Sequence, residues 1–154
     1  HDGTSFAMAD IPGLIPGASD GAGLGIRFLK HLERTRVLVH LITLDPDPKR
    51  DTFADYKALR KELESFDPGL AQRPEVVAVS KCDLPDVQEA FPKLRTKFRR
   101  KGIELRQLSA ATGEGCKDLV EELAGMVQRL RAGIAPEPND PPRAPARTKK
   151  KPRA

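Results

Sequence analysis

The chain has 154 residues, which is single-domain size and long enough to bury a core. Its two cysteines, Cys82 and Cys116, are too few for a disulfide framework and belong to no metal-ligand cluster, so a reducing, cytoplasmic setting is expected. No apolar run approaches the roughly 20 residues of a membrane span, and no signal-peptide pattern opens the chain. The first residue is His1 and a strand-like pattern starts almost at once, so further chain upstream is expected.

Residues 4–9 alternate Thr4, Phe6 and Met8 against Ser5, Ala7 and Ala9, which predicts a strand. Residues 10–25 follow with five glycines and two prolines, opened by Asp10, and a helix-like stretch runs from Ile26 to Leu32. Arg36 to Leu44 is nearly continuous in apolar residues, the mark of a strand buried on both faces of a parallel sheet. Thr52 and Asp55 have capping-box-like spacing. Tyr56, Leu59, Leu63 and Phe66 then recur at helical intervals until Pro68-Gly69 stops the run.

Glu75 to Ser80 predicts a second buried strand. Residues 86–100 carry Phe91, Leu94 and Phe98 on one helical face. Pro92 would cost about 3 kcal/mol in a helix interior, so the regular part is expected to begin near it. Ile103 to Leu108 alternates like a strand nearer an edge, and a last helix runs from near Gly115 to Gly133 with Leu119, Leu123, Val127 and Leu130 in register. Strand and helix alternate throughout, which predicts an α/β fold with a mostly parallel sheet.

Charge is uneven. Of the net +5, the segment from Pro136 onward carries +4, and six of the 14 prolines stand there. Residues 134–154 therefore read as a disordered basic tail, either solubilising or in transient contact with nucleic-acid phosphates.

In open parallel sheets ligands sit beyond the carboxyl ends of the strands, so the loops there are read together. Asp10-Ile11-Pro12-Gly13 ends the first strand pattern. A carboxylate there can hold Mg²⁺ directly or through water, and a glycine three residues on lets a backbone N–H approach a phosphate oxygen; the same four residues also make an ordinary turn. Ser80-Lys81-Cys82-Asp83 follows the most apolar strand. A single carboxylate can accept two parallel hydrogen bonds from the N–H and NH₂ that guanine presents on one edge, with a lysine stem along the base, though a solvated Lys-Asp turn explains the residues equally. Ser109-Ala110-Ala111 opens a loop of small residues whose N–H groups could reach a ligand carbonyl, or which simply turns the chain into a helix.

Order and separation carry more than any one loop. An Asp-x-x-Gly, a Lys-x-Asp about 70 residues on and a Ser-Ala-Ala about 28 further match the last three nucleotide motifs of a GTPase domain. The segment ADIPGLIPGASDGAGLGIRFLKHLERTRVLVHLI resembles the Obg family of bacterial GTPases nearly residue for residue, and the likeness covers roughly residues 1–133.

That resemblance implies a three-layer, P-loop NTPase-like G domain acting as a Mg²⁺-dependent GTP/GDP switch in assembly of the large ribosomal subunit, and a monomer is expected. It implies that Asp10 holds Mg²⁺ through a water, that Gly13 donates to the γ-phosphate beside Ile11 and Pro12, and that Lys81 packs on guanine. Asp83, with Ser80 and Cys82 in the same loop, would select the base, and Ser109, Ala110 and Ala111 would frame its carbonyl. The glycine-rich stretch then reads as a switch segment. No catalytic residue is assigned.

Four departures qualify the likeness. Leu14 stands where many related GTPases place a water-orienting glutamine, which implies slow hydrolysis. Ser80 replaces the family's usual asparagine, which implies a weaker brace to the base. No G-x-x-x-x-G-K-[ST] occurs; Gly113 to Asp118 has the wrong spacing. The phosphate loop is therefore expected upstream of His1, along with the strand that would lie between residues 4–9 and 36–44, and this piece by itself is expected to be inactive and to expose apolar strand edges.

Two other classes compete. Gly21-Ala22-Gly23-Leu24-Gly25 with Asp45 twenty residues later suggests an NAD-binding oxidoreductase fragment, but no strand directly precedes the first glycine. A non-catalytic ribosome- or rRNA-associated module acting through its basic tail is the other. His31 and His40 have no partner at ligand spacing and read as packed or surface residues, and Cys82 reads as pointing out of its loop.

Overall fold

A computed structural model describes residues 5–10, 34–45, 47 and 49–134. Its elements in order are β1 (Leu38–Ile42), α1 (Thr52–Phe66), α2 (Pro68–Ala71), β2 (Glu75–Val79), α3 (Pro85–Arg99), β3 (Leu105–Gln107) and α4 (Cys116–Arg131). The three strands pair in the order β1-β2-β3, all parallel, with Val39 opposite Val76 and Val77 opposite Leu105.

β2 is central because it is apolar on both sides. Val77 and Val79 face one cluster with Ile42, Tyr56, Val87, Phe98 and Leu105, beneath α1 and α3. Val76 and Ala78 face the other with Leu108, Leu119 and Leu123, beneath α4. The period-two alternation of a strand thus builds helix, sheet and helix into three layers, the architecture of a P-loop NTPase-like G domain.

Each predicted core strand is present but shorter than its apolar run, because a ladder ends where its neighbour does. β3 is limited to three residues by its pairing with Val77 to Val79. The expected strand at 4–9 is not formed over the described residues 5–10. A strand exists through ladder bonds, and β1 hydrogen-bonds only to β2 among the described residues, so 5–10 has no ladder to join. Phe6 nevertheless packs on the α4-side cluster, and Leu41 of β1 is 56% exposed.

Three helix details differ from the expectation. The N-cap of α1 is Asp51 rather than Thr52, its carboxylate accepting from the Phe53 and Ala54 N–H groups. Pro68-Gly69 opens the short α2, capped by Asp67. α3 runs unbroken from Pro85 through Pro92. Pro85 sits in the favoured first turn, and Pro92 lies on the exposed face, where water can take the carbonyl bond it cannot make, while Val87 and Phe98 hold the other face to the sheet.

Candidate functional site

Because the strands are parallel, Thr43, Ser80 and Leu108 all leave the sheet at one rim. The turn after β2 is stitched to both neighbours. The Ser80 N–H donates to the Ile42 carbonyl at 2.8 Å, and the Cys82 N–H donates to the Leu108 carbonyl at 3.0 Å. Thr43 Oγ1 stands 2.9 Å from Ser80 Oγ, which in turn donates to the Ile42 carbonyl at 3.1 Å. Thr43 carries no sequence signal of its own; only the pairing of β1 with β2 brings it here.

Between those anchors Lys81 takes φ 60°, a left-handed conformation that side chains other than glycine's rarely adopt. The turn therefore presents Lys81 and Asp83 outward and Cys82 inward. Lys81 is exposed and Asp83 half-buried, and neither side chain makes a hydrogen bond or ion pair with any described residue. Cys82 is 2% exposed, which corrects the expectation that it points out of the loop. Burial, and after it the Glu114 carboxylate, pushes its thiol above the ordinary value. The loop needs one residue facing the core to hold it, and the small apolar thiol fills that place.

The Ser109 loop is equally constrained. Ser109 is fully buried; its N–H donates to the Glu114 carbonyl at 2.9 Å, and its carbonyl accepts from Gly113 at 2.9 Å. Its hydroxyl accepts from the Thr112 N–H at 3.2 Å. Gly115 closes the turn at φ 70°, and a Cβ there would lie 2.3 Å from the Gln107 carbonyl oxygen, so only glycine fits. Ala110 and Ala111 are left exposed at the rim.

The structure thus joins two of the three predicted loops. Asp10 is exposed at the end of its described stretch; Ile11, Pro12, Gly13, Leu14 and the Gly21–Gly25 run lie outside the described residues. Chemically, the rim offers an uncommitted carboxylate and an uncommitted ammonium beside small residues, the donor and acceptor set for a flat polar ring. Asp45 is committed elsewhere: it accepts from the Asp47 N–H at 2.9 Å and pairs with Arg50 at 2.9 Å, which takes away the acid the oxidoreductase reading needs. Those two hydrogen bonds, the Asp47 one foremost, hold its carboxyl below the usual range. His40 is packed as expected, its Nδ1 3.1 Å from Glu75, whereas His31 lies outside the described residues.

Residues 1–81 match the family model described as 50S ribosome-binding GTPase. Proteins named GTPase Obg are similar over most of the chain. The one from Sorangium cellulosum is 56% identical over 127 residues, covering 82% of this chain and 37% of that protein. That from Caldicellulosiruptor saccharolyticus is 40% identical over 150 residues, covering 97% and 35%, and that from an Anaeromyxobacter species is 48% identical over 120 residues, covering 76% and 34%.

The chain belongs to the Obg family of GTPases. It spans about a third of the length of the relatives it matches. In this Obg-family chain the Ser80–Asp83 and Ser109–Ala111 loops are neighbours on one rim, joined directly through Cys82 and Leu108. Among the described residues no helix is long and apolar enough to cross a membrane.

Proposed function

We propose that residues 1–133 form part of a domain that binds and slowly hydrolyses GTP, as a switch in assembly of the large ribosomal subunit. The observation that carries this reading is that the loop bearing the uncommitted Asp83 carboxylate is held beside the buried Ser109 turn by the Cys82 N–H donating to the Leu108 carbonyl at 3.0 Å. Asp83 accepts the two donors on guanine's edge, Lys81 covers the face of the base, and Ala110 and Ala111 offer N–H groups to its carbonyl. Ser80 and Cys82 act behind them: Ser80 holds the loop to β1, and Cys82 anchors it in the core.

Mg²⁺ fits what is present. Among the described residues no three His, Cys, Asp or Glu side chains gather as a metal cage, and Asp10 offers one exposed carboxylate. One carboxylate suits an ion that keeps waters and takes its other oxygens from nucleotide phosphates. When bound, it would neutralise phosphate charge. Asp10 would hold it, through a water, with Ile11, Pro12 and Gly13 next in the chain to serve the phosphate. Leu14 cannot orient an attacking water, so turnover is slow.

The test uses the full-length protein and a fluorescent guanosine diphosphate. Asp83→Asn should weaken binding about a hundredfold, about 2.7 kcal/mol, because an amide cannot accept both donors. Xanthosine diphosphate, whose carbonyl replaces the amine, should recover part of the loss. Turnover by the unaltered protein should be on the order of 10⁻³ s⁻¹. Unchanged guanosine affinity in the variant would remove the base assignment, and turnover near 1 s⁻¹ would remove the role given to Leu14.

A further inference from the structure

The loop that carries Lys81 and Asp83 contains a conformation that does not hold itself. Among the described residues Lys81, at φ 60°, is the one residue other than glycine with a positive φ. Such a backbone persists only where contacts on both sides over-determine it. On the far side the contact is the Cys82 N–H donating to the Leu108 carbonyl at 3.0 Å, with the side chain of Cys82 buried behind it. On the near side the whole duty falls on Ser80.

Ser80 discharges it with help from β1. The last registered pair of β1 and β2 is Ile42 with Val79, so Thr43 and Ser80 are the next residues on two parallel strands and arrive abreast. The Ile42 carbonyl accepts twice, from the Ser80 N–H at 2.8 Å and from the Ser80 hydroxyl at 3.1 Å. That commits the one proton a serine hydroxyl has. The 2.9 Å contact between Thr43 Oγ1 and Ser80 Oγ is therefore made with the threonine proton, Thr43 donating and Ser80 accepting. Ser80 is thus gripped at two successive points of β1, a carbonyl and a hydroxyl. Branching at Cβ keeps Thr43 stiff at χ1, so its donor is aimed before the contact forms.

We propose that Thr43 is a positioning residue for base recognition: the Thr43–Ser80 hydroxyl pair holds the near side of the left-handed turn and thereby sets where the Asp83 carboxylate stands. A lone serine braces less than an amide would, and the second hydroxyl fills the shortfall. Without it Lys81 can relax toward negative φ, and Asp83, two residues on, turns with the backbone. The role rests on the guanine reading of Asp83 given above and extends it to a residue on a different strand that touches neither base nor phosphate.

The test uses the full-length protein and compares guanosine diphosphate with inosine diphosphate, which lacks the exocyclic amine and offers Asp83 only one donor. Thr43→Val keeps the branched shape and removes the hydroxyl. Thr43 is exposed, so the fold should tolerate the change, checked by an unaltered urea slope and a near-unaltered midpoint. Guanosine diphosphate should dissociate about fivefold faster from this variant. Inosine diphosphate should lose less than about twofold, so the preference for guanine narrows. Thr43→Ser should restore both values to within about twofold, and Thr43→Val with Ser80→Ala together should cost little more than Ser80→Ala alone, because both act through one bridge.

Unchanged dissociation and unchanged preference in Thr43→Val would overturn the proposal. Equal losses for the two nucleotides would overturn it as well, since they would mark a general loosening of the rim and no effect on Asp83. Fully additive losses in the double variant would show that the two hydroxyls do not act together. Absence of guanosine diphosphate binding by the unaltered protein would remove the nucleotide reading and this role with it, whereas tight binding that Thr43→Val leaves untouched removes the role alone.

Discussion

Lys81 at φ 60°, Gly113 at φ 82° and Gly115 at φ 70° are the left-handed backbone positions on which the rim turns. Gly115 has no alternative, because any Cβ meets the Gln107 carbonyl. Gly115→Ala should therefore destabilise the fold by about 2 kcal/mol or more, read as a lower denaturant midpoint at unchanged slope, and should weaken nucleotide binding with it. Cys82 gives a second measure of the same loop. Its folded thiol is raised above the ordinary cysteine value, so the stability tied to it is full below that ordinary value and is lost as pH rises through the raised one. At pH 8, iodoacetamide followed by mass spectrometry should modify the partly exposed Cys116 at least about tenfold faster than the buried Cys82. Equal rates would show that Cys82 is not held inward. At this scale the sequence names Lys81, Cys82 and Asp83 but not their directions, which follow from one left-handed residue.

Among the elements, α1 is held to the sheet through Glu75, the first residue of β2. Its carboxylate accepts from the Tyr56 hydroxyl at 2.9 Å, stands 3.1 Å from His40 Nδ1, and lies 3.5 Å from Arg60 Nη1, which has no hydrogen bond of its own at that nitrogen. Burial, then the Glu75 charge, keeps the Tyr56 hydroxyl protonated far above its ordinary range. Tyr56 also packs its ring 4.9 Å from His40 and 5.3 Å from Phe98. Glu75→Ala strips three partners at once and should cost about 3 kcal/mol in a urea titration, whereas Glu75→Gln, which can still accept from Tyr56, should lose less. A cost below about 1 kcal/mol would mean that α1 is seated by its apolar face alone. Helical spacing marks Tyr56 as a core residue, but nothing in the spacing shows that its hydroxyl reaches a strand 19 residues away. Helix ends were readable to within a residue or two; the path of α3 through Pro92 was not, since it depends on which face the proline occupies.

At the scale of the molecule, parallel strands gather every strand end, and with it the candidate site, at one rim. Apolar runs, helical periodicity and motif order determined the α/β class, the helices, and the family, because burial periodicity and loop chemistry are local properties of a chain. The expected strand at 4–9 did not follow from its alternation, because strand structure requires a neighbour with which to bond. Tertiary structure alone decided that Thr43 braces Ser80, that Cys82 turns inward toward Glu114, that Glu75 collects partners from β1 and α1, and that Arg36 and Arg73 share one depression. Those contacts join residues far apart in sequence, and their meeting is set by strand register and by the face each side chain takes, neither of which a one-dimensional pattern contains.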